Sequence, residues 1–156
     1  MNIHTYTTDV IWTGNSGSGT RGYRSYSRSH QIKSKGKPAI SGSSDPSFMG
    51  DSSKYNPEEL FLASISCCHM LWYLHLCSEN DVVVTSYRDE PIGTMCEEKS
   101  GSGHFEMVVL KPEVAITEPV KKSLAIKLHQ EAGRKCFIAN SCNFPVNHEP
   151  VIFISE

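Results

Sequence analysis

Six cysteines stand at positions 67, 68, 77, 96, 136 and 142, and two of them carry the sequence's best case for chemistry. Cys68 sits inside an apolar run that opens at Asn56, and Cys136 follows Gly133-Arg134-Lys135. A cysteine reacts as its thiolate, so a thiol with an ordinary pKa of about 8.5 must be shifted down to react at neutral pH. Deep inside a helix, position 68 gains little from the dipole of its own helix. Apolar burial works against ionisation. A nearby cation is therefore needed, and arginine suits because it never loses its charge. At position 136, a short helix beginning nearby would bring its dipole, and Arg134 and Lys135 would add positive charge. Both would lower the thiol pKa and make it a good exchange partner. No Cys-x-x-Cys pair occurs, which weakens a zinc-ribbon or thioredoxin-like reading. Cys67, Cys68 and His69 occupy successive helical positions about 100° apart and cannot readily converge on one ion. Neither a metal nor a bound cofactor is expected. Cys67, Cys77, Cys96 and Cys142 read as small hydrophobes, and His69, His75 and His129 as packing or surface residues.

These side chains need a scaffold, and 156 residues suffice for one domain spanning 1–156 with a core of its own. A net charge of −2 gives no basic field to attract nucleic acid or anionic lipid. The Arg/Tyr mixture of residues 20–28 resembles a single-strand binder only in composition. No apolar run of membrane-spanning length is read from the sequence, and no secretory signal at its start. A cytoplasmic location with reduced thiols is expected. Strands are predicted over residues 5–12 and 23–32, then a long Gly/Ser/Pro/Asp loop over 36–55. Asn56 then caps a helix to about Cys77, with Pro57 in its first turn and Glu58 and Glu59 at the positive end of its dipole. That helix is apolar almost all round, which predicts burial as the spine of the fold or in a subunit interface. Strands over 82–88, 91–97 and 104–116 follow, the last two joined by a hairpin loop. An amphipathic helix over 119–132 stops at Gly133, a short helix starts near Cys136, and a strand over 151–154 closes the chain. The order argues for an α+β fold with a largely antiparallel sheet.

Two stretches carry a resemblance. Asn56-Pro57-Glu58-Glu59-Leu60-Phe61-Leu62-Ala63-Ser64-Ile65-Ser66-Cys67-Cys68 resembles the central-helix signature of the OsmC/Ohr superfamily, and Gly133-Arg134-Lys135-Cys136-Phe137-Ile138-Ala139-Asn140-Ser141 resembles its second-cysteine motif. Gly42-Ser43-Ser44-Asp45-Pro46 and the segment from His69 to Cys77 look like a less characterised branch. The resemblance implies antiparallel sheets around a long buried central helix in an intertwined homodimer. It also implies a peroxidase for organic hydroperoxides, with Cys68 as the attacking thiolate, Cys136 as the resolving thiol and an external dithiol as reductant. Glu58 falls on the glutamate that organises the active-site arginine. That arginine comes from the N-terminal strands, where Arg21, Arg24 and Arg28 are candidates. Arg28 is preferred because it could reach across from the second strand. Glu58 and Cys68, ten residues apart on one helix, are separated by roughly 15 Å of rise. One small peroxide cannot touch both in the same chain, so a site using both is shared between subunits. The alternative is an OsmC-like small-molecule binding or redox-sensing protein without turnover, with the 36–55 loop as a lid.

Overall fold

The structure, a computed structural model, describes residues 2–155. They group into two compact units, one ending at Leu60 and the other beginning at Phe61.

In the first unit, β1 (Asp9–Trp12), β2 (His30–Lys33) and β3 (Ile40–Gly42) form an antiparallel sheet in that order. Trp12 pairs with His30, and His30 with Gly42. The first two strands are shorter than predicted. Between them, polar side chains satisfy the backbone locally in place of ladder partners. The Asn15 side chain accepts from the N–H groups of Gly17 and Gly19, and Ser25 Oγ accepts from the Gly22 N–H. The predicted 36–55 loop holds β3 and a one-turn helix, Pro46–Phe48. Asp45 caps that turn by accepting from the Ser47 N–H at 2.7 Å. Gly50 follows, and a Cβ there would lie 1.6 Å from the Ser44 carbonyl oxygen, so the turn admits only glycine. No apolar side chain of residues 2–55 is fully buried; Val10 is 67% and Trp12 44% exposed.

Helix α1 (Pro57–Glu79) begins as predicted. Asn56 Oδ1 accepts from the Glu59 N–H at 2.8 Å, and Glu59 returns the bond to the Asn56 N–H at 3.0 Å. This capping box is worth about 1 kcal/mol. Its buried residues Ile65, His69, Tyr73, Leu76 and Cys77 recur every three or four positions and make a single stripe. The expectation of burial all round is therefore corrected for the single chain: Cys67 and Leu71, on another face, are exposed. The membrane reading also changes, because α1 is long and apolar enough to cross a bilayer by length and composition. Its inward stripe instead joins a packed core, a pattern shared by core helices.

The second unit holds β4 (Val84–Asp89), β5 (Ile92–Glu97), β6 (Gly103–Leu110), β7 (Pro112–Ile116), helix α2 (Lys122–Lys135), β8 (Val146–His148) and β9 (Val151–Ile154). Two three-stranded sheets run β4-β7-β9 and β5-β6-β8. β4–β7 and β5–β6 are antiparallel, but β8 and β9 add parallel to β6 and β7. The sheets are thus mixed, and β8 was not predicted. The run predicted as one strand over 104–116 breaks at Lys111, whose N–H leaves the ladder to donate to Asp89 Oδ1 at 2.7 Å. α2 overruns its predicted stop: Gly133 stays helical, and a Cβ there would lie 3.5 Å from the His148 ring. One core cluster forms around Tyr73, Val114, Ile116 and Leu128, and a second around Ile65, Val108 and Leu110. The chain is α+β, as predicted.

Candidate active site

Cys68 and Cys136 arrive from different helices. Cys68 is half-buried on α1, beside the buried His69. Cys136 caps the C-terminal end of α2 and is fully buried. Its Sγ accepts from the Ala139 N–H at 3.4 Å and lies 4.0 Å from the Ile65 carbonyl oxygen. The two thiols are neighbours, close enough for Cys68 to enter the proton balance of Cys136. Burial first, and then the adjoining Cys68 thiol, push Cys136 up to about 11, while the N–H groups of Ala139 and Ile138 pull it partly back.

The predicted lowering at Cys136 is therefore reversed. The thiol occupies the negative end of α2, and the next helical turn is only Ala139–Ser141. The two basic neighbours pair with Glu131, Arg134 at 3.5 Å and Lys135 at 3.8 Å, and Lys135 also sits over the Trp72 ring. Of the four cysteines read as small hydrophobes, only Cys77 is fully buried, and burial raises it. Cys67 is exposed, while Cys96 and Cys142 are half-buried.

In the first unit, Arg28 differs from Arg21 and Arg24. Those two are exposed, whereas the Arg28 guanidinium lies between the Tyr23 and Tyr26 rings, 4.4 and 4.2 Å from their centroids. Its Nη1 donates to the Tyr26 carbonyl at 2.7 Å, and its buried Nη2 has no partner among the described residues. Arg28 lies in the connection before β2, not on a strand. Glu58 makes no hydrogen bond or ion pair among the described residues, because the capping work falls to Glu59.

Three histidines, not singled out for chemistry in the sequence, meet beside the thiols. His69 Nε2 and His129 Nδ1 share a hydrogen bond of 3.0 Å, and both residues are buried. His148 tilts against His69 with centroids 5.4 Å apart, and Tyr73 stacks on His129 at 3.7 Å. Burial holds His69 at about 4 and His129 at about 3, and it also lowers His148, so all three are neutral at pH 7. A cavity of about 310 Å³ is lined by His69, His148 and Cys136, with Gln130, Arg134 and Asn140 supplying further polar groups. Among the described residues, no three His, Cys, Asp or Glu side chains are placed to hold a metal ion.

The family model for OsmC-like proteins matches residues 50–150. The chain belongs to the OsmC-like family. An OsmC-like protein of unknown function from Vibrio cholerae is 29% identical, with a TM-score of 0.84 over 96% of this chain and all of that one. Two more distant structures share the fold. An organic hydroperoxide resistance protein from Elizabethkingia anophelis is 16% identical, with a TM-score of 0.67 over 97% of this chain and 99% of that one. One from Legionella pneumophila is 15% identical, with a TM-score of 0.64 over 96% and 98%. No curated protein matches the sequence.

Within this OsmC-like chain, α1, both neighbouring cysteines and all three histidines fall inside the matched range, whereas Arg28 falls outside it. The histidine cluster escaped sequence reasoning because its members come from α1, α2 and β8, which only the tertiary fold brings together. One signal was available: His129 shares the Ala125, Leu128 and Ala132 stripe of α2, an apolar face where a polar residue needs a partner.

Proposed function

We propose that this OsmC-like chain is a thiol-dependent peroxidase that reduces organic hydroperoxides through Cys68 and Cys136. The reading is supported by the adjoining Cys68 and Cys136 thiols, because such a cycle needs two cysteines side by side. The half-buried Cys68 is the one a peroxide can reach, and the fully buried Cys136 is shielded from direct oxidation. A thiol pushed up to about 11 suits the later, resolving role. The Cys68 thiolate attacks one peroxide oxygen, the O–O bond breaks, the alkoxide leaves and takes up the proton Cys68 had released, and Cys68 becomes a sulfenic acid. The Cys136 sulfur then displaces the hydroxyl group as water and forms the disulfide. An external dithiol reduces that bond by two exchanges and is itself oxidised to a disulfide.

The working unit in this proposal is a homodimer. A unit without one buried apolar side chain cannot hold its shape alone, and β1 and the outer face of α1 both expose apolar surface that a second copy would cover. Arg28 has an unpartnered guanidinium N–H and Glu58 an unengaged carboxylate, and these would complete each site from across the dimer. In the reducing cytoplasm all six cysteines would rest as free thiols.

The test is turnover. Purified protein supplied with cumene hydroperoxide and a dithiol should consume the peroxide catalytically and sediment as two 17.3 kDa chains. Absence of peroxide consumption, with the thiols remaining reduced, would sink the peroxidase reading.

A further inference from the structure

Forming the disulfide requires Cys136 to lose its proton, and its surroundings make that hard. Burial keeps the proton in place. The basic residues nearest in sequence, Arg134 at the cavity wall and Lys135, are cations paired with Glu131 and cannot accept a proton. What Cys136 does share is a cavity of about 310 Å³ with two imidazoles, His69 and His148. At roughly 30 Å³ per molecule this space holds several waters, and the Gln130 and Asn140 side chains at its wall supply polar partners for them.

We propose that His148 takes up the Cys136 proton across this cavity when the disulfide closes, and that the His69–His129 pair positions it. This rests on the peroxidase reading. His148 stands on β8, where it pairs with Leu110 of β6, and a Cβ at Gly133, in the last turn of α2, would lie 3.5 Å from its ring. It is half-buried, so it can return the proton to solvent, whereas His129 is sealed in and its Nε2 has no partner among the described residues. The His69 Nε2 is engaged with His129, which leaves His148 as the less encumbered imidazole at the cavity wall. The groups around the cluster are His69 and Tyr73 from α1, His129 and Arg134 from α2, and Cys136 beyond α2. No carboxylate lines the cavity among the described residues, and burial lowers His148, so its ring is neutral when the step begins.

The step balances. The Cys136 sulfur attacks the sulfenic sulfur of Cys68, an S–S bond forms, and the S–O bond breaks. Cys136 is oxidised and Cys68 is reduced from the sulfenic state. The Cys136 proton passes to His148, the departing hydroxide is protonated to water, and His148 returns to neutral.

The experiment is a time course on the full-length reduced protein. One equivalent of cumene hydroperoxide is added, sulfenic acid is trapped with dimedone, and sulfenate and disulfide are counted by intact mass. In the parent protein, disulfide should appear with little trapped sulfenate. In His148→Ala and in the bulkier His148→Gln, sulfenate should form at the parent rate, while disulfide closure slows at least about tenfold. Added imidazole should restore closure in His148→Ala, and pyrazole, its non-basic isostere, should not. Closure at the parent rate in a folded His148 variant, or equal rescue by pyrazole, would overturn the proton-transfer role and leave the peroxidase reading standing. A parent protein that forms neither sulfenate nor disulfide would overturn both.

Discussion

Serine at position 68 is expected to lower hydroperoxide consumption by a factor on the order of a hundred or more, because it removes the only sulfur in the pair that peroxide can reach. Cys136→Ser should behave differently. Its first encounter with peroxide should run at the parent rate, and Cys68 should then stay trapped as sulfenic acid. Dithiol-dependent turnover should fall, and the fall should deepen as peroxide is raised and over-oxidation competes. Stopped-flow consumption of one peroxide equivalent, followed by steady-state turnover, separates the two variants. Both single variants with parent-like rates would mean that Cys67, the exposed neighbour, does the work.

Acid should weaken the fold well before carboxylates begin to titrate. His69 and His129 are held at about 4 and about 3 against an ordinary 6.5, and His148 is lowered too, in each case chiefly by burial. The unfolded chain therefore binds protons first as pH falls below 6.5, and each proton bound draws the equilibrium toward unfolding. From pH 7 to 5 this costs about 2 kcal/mol for each of His69 and His129, or about 4 kcal/mol together. The lowered carboxyls of Asp45 and Asp51 act in the same direction only nearer pH 4 and below. At the alkaline end, Cys77 and Cys136 are raised, so stability should fall again as the unfolded thiols ionise first. Chemical denaturation at pH 7 and pH 5, at one protein concentration, reads the acid effect directly. His129→Leu should flatten it, and equal stability at the two pH values would show that burial does not hold these imidazoles neutral.

Local signals carried the sequence reading a long way. The Asn56 cap, the Pro57 start and the unbroken apolar run fixed α1 to within two residues of its end, because capping and periodicity act over a few positions. The two cysteines stood out for the same reason, as members of short runs. Failures arose where distant residues compete for a backbone group. Asp89 takes the Lys111 N–H and splits the predicted 104–116 strand, and α2 continues through Gly133 to Lys135. The environment of Cys136 was misjudged because its neighbours in sequence, Arg134 and Lys135, turn to Glu131, while its neighbour in space is Cys68. Electrostatics follow spatial distance, which one sequence does not print. The histidine cluster is the extreme case, since its three rings come from three elements.

The most direct measurement is a disulfide map after stoichiometric oxidation. Reduced protein treated with one equivalent of cumene hydroperoxide, digested without reductant and analysed by mass, should yield a single bridge joining the Cys68 and Cys136 peptides within one chain. Thiols left untouched, or oxidation scattered over Cys67, Cys77 and Cys142 with no such bridge, would contradict the account.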